Sequence, residues 1–216
     1  MTNRKNTNSK ASKFWDRAAT KYSLQAISDV PSYEKKLEVS RRYFTPQSNV
    51  FEFGCGTGST ALIHAPFVEQ IHAIDFSEEM INIAKAKAAQ AKITNVKFEK
   101  ASIDTFVAPP ESYDAVLGLS VLHLLDDMDA AIEKSFHLVK PGGVFITSSA
   151  CLRDRFHVLL WPILWLGKLV GKVPTVKFIS AKSVVKSLMA AGFEIDYQWR
   201  PRKALWVFIV AKKPHE

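Results

Sequence analysis

Apolar positions along the chain switch between two periods, and the switching lays out the elements. In KFWDRAATKYSL, Phe14, Ala18 and Tyr22 recur every four residues with Trp15 beside them, the spacing of an amphipathic helix. SYEKKLEVSRRYF predicts a second helix. SNVFEFG is then a short apolar run ending at glycine, a buried strand, and STALIHAPFV a helix after it. The same reading gives strands at QIHAID, NVKFEK, YDAVLGL, VFITSS, FEIDYQW and ALWVFIVAKK, and helices at SEEMINIAKAKAAQAK, DMDAAIEKSFHLV and SAKSVVKSLMAAG. Ser77 is placed as the N-cap of one of these, with Glu78 and Glu79 in its first turn, where the helix dipole favours them. KPGG reads as a turn before the fifth strand. Buried strands alternating with helices predict an α/β fold, a mostly parallel, doubly wound sheet covered on both faces. The last two strands have no helix between them and should pair as a hairpin at one edge.

Composition narrows the picture. A chain of 216 residues, 47% hydrophobic and 23% charged, is expected to form one globular domain over residues 13–216. Residues 1–12 are expected to be a flexible basic tail with no secretory signal, and residues 13–46 a helical cap. Two cysteines, Cys55 and Cys151, offer no framework of bridges, which points to a reducing, cytoplasmic setting. The net charge of +8 is unevenly spread: the balance is +6 over residues 1–50, −6 over 51–150 and +8 over 151–216. The basic ends are read either as solvated surface or as facing an anionic partner, a membrane surface or an acidic substrate. The six histidines and two cysteines show no ligand spacing, so no metal is expected.

The chemistry concentrates in VFEFGCGTG, Val50 to Gly58. Gly54, Gly56 and Gly58 sit in the first strand-to-helix turn, where an open α/β sheet receives its ligands. Bare backbone there admits unusual dihedrals and close ligand approach. A dinucleotide fingerprint would need a glycine where Ser59 stands, and no G-K-[ST] follows for a P-loop. Glu52, two residues before the first glycine, suits a cationic ligand better than a pyrophosphate.

EFGCGTG resembles the first motif of class I S-adenosylmethionine-dependent methyltransferases. The resemblance covers roughly residues 13–213 and implies a sheet order of 3-2-1-4-5-7-6. It implies S-adenosyl-L-methionine as cofactor, with the turn Gly54, Cys55, Gly56 and Gly58 under its aminoacyl tail and Glu52 helping to hold the ammonium end. HAIDFS places Asp75 where it can accept from ribose hydroxyls and Phe76 where it can pack on adenine. After the third strand Ser102 stands where relatives carry an acid, so the adenine contact falls to Ser102, Asp104 or the backbone at Ile103. YDAVLGLSVLHLL resembles the fourth-strand motif, with Leu119 to His123 on the active-site side. Trp15 and Tyr22, on a helix that folds over the cofactor in related enzymes, are expected near the cofactor.

Transfer from a sulfonium is an in-line displacement in which positioning supplies most of the acceleration. His123 and Tyr22 are the catalytic candidates, His123 as the base where the acceptor must lose a proton; a packed histidine is the competing reading. His157 is not assigned a role. Residues 151–178, with Trp161 and Trp165 around Pro162 and lysines at 168, 172 and 177, are expected to form a lid. That lid covers a small apolar or aromatic acceptor, inserts into an anionic membrane surface, or packs on the domain's own core. The leading function is methylation of a small molecule. A lipid or quinone-like acceptor at a membrane surface and a non-catalytic S-adenosylmethionine-binding partner protein are the alternatives. No nucleic-acid partner is expected, and the oligomeric state is open.

Overall fold

The computed structural model describes residues 2–154, 176–202 and 204–215, with residues 2–10 given by backbone alone. Helices α1 (Thr2–Ser23) and α2 (Val30–Arg41) precede the sheet. Then follow β1 (Asn49–Phe53), α3 (Ser59–His64), β2 (Gln70–Asp75), α4 (Glu78–Gln90), β3 (Val96–Lys100) and β4 (Tyr113–Leu119). After these come α5 (Met128–Leu138), β5 (Val139–Ala150), α6 (Ala181–Ala190), β6 (Glu194–Trp199) and β7 (Trp206–Lys212). The seven strands form one sheet in the order β3-β2-β1-β4-β5-β7-β6, the order the resemblance implied. β7 runs antiparallel to β5 and β6, so the hairpin expected at one edge is present.

Two details depart from the sequence reading. α1 begins at Thr2, so residues 2–12, expected as a tail, continue the first helix. KPGG is carried inside β5: Tyr113 pairs with Val139 and Ala115 with Val144, and the residues between bulge out of the ladder. Trp161, Pro162, Trp165, His157, Lys168 and Lys172 lie outside the described residues, and with them most of the expected lid.

The helix starts follow from local chemistry. Ser77 Oγ accepts from Met80 N–H at 3.3 Å, and Asp127 Oδ1 from Ala130 N–H at 3.0 Å. Asp29 caps α2 by accepting from Ser32 N–H at 3.2 Å, which starts that helix two residues before the periodic pattern does. Along β1 the side chains alternate. Phe51 and Phe53 enter the core shared with Phe106, Phe145, Val184 and Leu188, and Val50 enters the opposite core with Ile71, Ala84 and Phe98. Glu52 therefore falls on the Val50 face, only 3% exposed between Phe51 and Phe53.

Gly58 caps α3 with φ at +73°, and a Cβ there would stand 2.7 Å from the Phe98 ring and 2.8 Å from Ala84. Both the left-handed backbone and the overlap count against any side chain. Gly58→Ala is expected to cost about 3 kcal/mol and to lower Tm by roughly 6–12 °C, measurable by thermal melting. A shift below 2 °C would mean that α3 and α4 separate readily.

Candidate functional site

A cavity of about 450 Å³ opens at the carboxyl ends of β1, β4 and β5, roofed by the α1–α2 connection. Its floor is the glycine turn. Gly54 has φ +66° and a Cβ there would stand 2.5 Å from Val121 Cγ2, whereas Gly56 has φ +54° and room for a Cβ, the nearest atom being Tyr22 Cε1 at 3.8 Å. Gly56 is thus the backbone a ligand can approach, and Gly54 and Gly58 fix the turn around it. Asp75, at the end of β2, holds this arrangement: Oδ2 accepts from Gly56 N–H and Oδ1 from Ser77 N–H, both at 2.9 Å. Burial pushes the Asp75 carboxyl up, against the pull of these backbone donors.

Glu52 is the electrostatic centre of the floor. Its Oε2 is buried and has no hydrogen-bond partner. Burial, with the nearby Asp75 charge adding to it, pushes its carboxyl up to about 8. Lys36 is the only lysine or arginine among the described residues that line the cavity, and it stands beyond β4 from Glu52. The Glu52 end of the cavity therefore holds a buried carboxyl that stays protonated below about pH 8, with no cation beside it among the described lining residues, and a cationic ligand would favour its ionised form.

Of the residues singled out from the sequence, Tyr22, Glu52, Gly54, Cys55, Gly56 and Leu119 line this cavity together. Tyr22 is 48% exposed, yet its ring leans over Gly56 and burial of its hydroxyl pushes the phenol up, with Asp75 adding. Trp15 packs edge-on against Tyr22 at 6.1 Å, one layer behind the lining. The Cys55 thiol is buried and held well above its ordinary range by burial, then by Glu52 and Asp75. Phe76 is half-buried at the start of α4, and its carbonyl accepts from Ser12 Oγ at 3.3 Å. Ser102 closes a turn with Asp104, donating to Oδ2 at 3.2 Å, while Ile103 sends its side chain into the core and its carbonyl accepts from Lys134 at 2.7 Å. His123 stands outside the cavity lining. Its Nδ1 lies 3.4 Å from the N–H of Ala150, and burial lowers the imidazole to about 4.

The cavity also holds residues that sequence reasoning passed over. Tyr33 meets Thr60 through their hydroxyls at 3.1 Å. Lys36 donates to Ser148 Oγ at 3.0 Å and lies over the Trp206 ring, 3.5 Å from its centroid. Behind the wall, Asp16 of α1 accepts from Ser77 Oγ at 2.6 Å and from Glu79 N–H at 3.3 Å, pinning α1 to the start of α4. Ser77 alone carried a signal in the sequence, its cap spacing. Lysines on a basic amphipathic helix look like any solvated face.

With this geometry the chain is similar to known proteins. Residues 44–176, more than half of the chain, match a family described as a methyltransferase domain. A ubiquinone biosynthesis O-methyltransferase of Xanthomonas campestris pv. campestris is 28% identical over 141 residues, which cover 64% of this chain and 56% of that protein. A demethylmenaquinone methyltransferase of Leptospira interrogans is 33% identical over 107 residues, covering 48% and 43%. The chain spans about half the length of the curated relatives it matches. A putative S-adenosylmethionine-dependent methyltransferase structure from Listeria monocytogenes superimposes with a TM-score of 0.66 at 22% identity, covering 84% of this chain and 100% of that one. The chain belongs to the methyltransferase-domain family and has the fold of class I S-adenosylmethionine-dependent methyltransferases.

Proposed function

We propose that the protein transfers the methyl group of S-adenosylmethionine to a small apolar or aromatic molecule. The observation that carries this reading is the buried, unpartnered Oε2 of Glu52 beside the open Gly56 backbone. A phosphate would hold Glu52 in its protonated form and find no cation beside it among the described lining residues, whereas an ammonium or sulfonium would draw the carboxyl into its ionised form and pair with it. The residues present fit the cofactor. Glu52 and the turn Gly54, Cys55 and Gly56 would hold its amino-acid end. Asp75 keeps lone pairs for hydroxyl donors after its two backbone bonds. Phe76, Ser102 and Ile103 remain the proposed adenine side, with Trp15 and Tyr22 closing over the turn.

When bound, the cofactor supplies a methyl group already activated on a positively charged sulfur. The chain's part is then to orient the acceptor and exclude water. Leu37, Leu119 and Trp206 give the acceptor end apolar walls, and Lys36 and Ser148 give it polar atoms. His123 and Tyr22 remain the proposed catalytic residues. With Nδ1 facing Ala150 N–H, any proton His123 moved would pass through Nε2. A quinone-like acceptor is the second reading, favoured by the names of the two curated relatives.

The test is calorimetric titration with S-adenosylmethionine and S-adenosylhomocysteine, followed by an acceptor screen read as S-adenosylhomocysteine formed. Micromolar binding with turnover of an apolar or aromatic acceptor is expected. Binding without turnover of any acceptor would favour a non-catalytic partner protein. No binding in a folded sample would remove the cofactor reading.

A further inference from the structure

The end of the cavity away from the glycine turn is built around a cation. Lys36 reaches it from α2, and two fixed groups hold its ammonium: Ser148 Oγ at the end of β5, at 3.0 Å, and the face of Trp206 at the start of β7, at 3.5 Å. The platform is itself braced. Trp206 packs edge-on against Trp199, 5.2 Å between centroids, and Lys35 lies over Trp199 at 4.4 Å. Next to Ser148, Ser120 takes φ +57°, an uncommon backbone for a serine, and donates its N–H to the Ser148 carbonyl at 2.7 Å. Ser120, Ser148, Lys36 and Trp206 all line the cavity shared with Glu52 and Gly56.

Sheet order sets the distance between the two ends. Glu52 is the penultimate residue of β1 and Ser148 stands two residues before the end of β5, with β4 between the two strands. At about 4.8 Å per strand, the carboxyl end and the ammonium end lie roughly 10 Å apart. One end asks for a positive ligand group and the other for a negative one.

We propose that Lys36 binds the acceptor, and that the acceptor carries an ionised oxygen, a phenolate or a carboxylate, which pairs with the Lys36 ammonium. This inference rests on the methyltransferase reading and names its substrate class. A lysine partly removed from water, with one hydroxyl and an aromatic face as its described neighbours, gains most from an anionic partner. Burial lowers its ammonium to about 8, against the pull of Asp29, so the charge is incompletely compensated within the chain. The pairing would also favour product release. As the acceptor oxygen takes the methyl group, its electron pair forms the new carbon–oxygen bond. The old carbon–sulfur pair stays on sulfur, and the two opposite charges vanish together. The neutral product no longer pairs with Lys36 and leaves.

The probes are matched aromatic pairs: 4-nitrophenol with 4-nitroanisole, and 4-nitrobenzoate with 4-nitrobenzamide. They are titrated at pH 8 into protein saturated with S-adenosylhomocysteine, using wild type, Lys36→Met and Lys36→Arg, each checked by thermal melting. Wild type is expected to prefer at least one anion over its neutral partner by tenfold or more, and the pair that discriminates tells phenolate from carboxylate. Lys36→Met should lose that preference, and Lys36→Arg should keep part of it. The affinity for S-adenosylhomocysteine should stay within twofold in all three. A wild type without preference, or without binding of either anion, overturns the proposal, as does a Lys36→Met protein that keeps the preference. If S-adenosylhomocysteine binds wild type and Lys36→Met equally while the preference is absent, only this inference fails. If it does not bind wild type, the methyltransferase reading has failed.

Discussion

Glu52→Gln is expected to stabilise the ligand-free protein at alkaline pH and to weaken cofactor binding. The folded-state carboxyl sits at about 8, above its ordinary value of 4.5, because burial penalises its charge and Asp75 adds to that penalty. The sign follows from where the proton is held. Below pH 4.5 both folded and unfolded chains carry it, and the group takes nothing from stability. Between 4.5 and 8 the unfolded chain ionises while the folded one does not, so stability falls as pH rises, and the full penalty is reached above 8. Glutamine removes the titration. Its advantage over wild type should therefore grow from pH 5 to pH 9, toward a ceiling of about 5 kcal/mol. Ligand binding should move the other way. A cationic ligand needs the ionised form, so wild-type affinity should rise as pH climbs toward 8 and then level off. The variant should bind without that dependence and roughly 10- to 100-fold more weakly at pH 8.5, the usual range for a lost charged hydrogen bond. Melting curves and calorimetry over pH 5–9 read both effects. A variant that binds S-adenosylmethionine as tightly as wild type at pH 8.5 would remove Glu52 from the ammonium site.

Asp75→Ala should be the most damaging single change to binding. The carboxylate holds Gly56 N–H and Ser77 N–H, so its loss frees the exposed corner of the glycine turn and the N-cap of α4 together. Two buried donors left without an acceptor cost about 2–4 kcal/mol, read by denaturant melts. The affinity for S-adenosylhomocysteine should fall by more than 100-fold, because the proposed acceptor for its hydroxyls and the shape of the turn go in one step. Asp75→Asn keeps one acceptor oxygen and turns an amide N–H₂ toward a backbone donor, so it should fall between the two. Binding by Asp75→Ala within threefold of wild type would show that the turn holds its shape without the carboxylate.

Much of this site is legible because its parts are near one another in the chain. β1 runs straight into the glycine turn, Asp75 ends the next strand, and Ser77 caps the helix that follows. Period-two alternation even places Glu52 on the face opposite Phe51 and Phe53. Signals of this kind come from backbone dihedrals, capping bonds and side-chain periodicity, all of which act within a few residues. They name the strands, the turn and the buried acid without knowledge of what lies across from them.

The Lys36 end of the cavity was silent in the sequence. Lys36 and Ser148 are 112 residues apart and meet only because α2 crosses the carboxyl end of β5 and the amino end of β7 beside it. Asp16 reaches Ser77 across 61 residues, and Tyr33 reaches Thr60 across 27. Likewise, the sequence carries His123 just past the end of β4, but packing sets its Nδ1 against the backbone of β5 and leaves the residue outside the cavity lining. Periodicity tells which face of an element is buried. Strand order and the crossing of helices decide what that face meets. The amino-acid sequence by itself determined the elements, the glycine turn and the acid beside it. Only the tertiary structure decided that a lysine on a tryptophan face completes the other end.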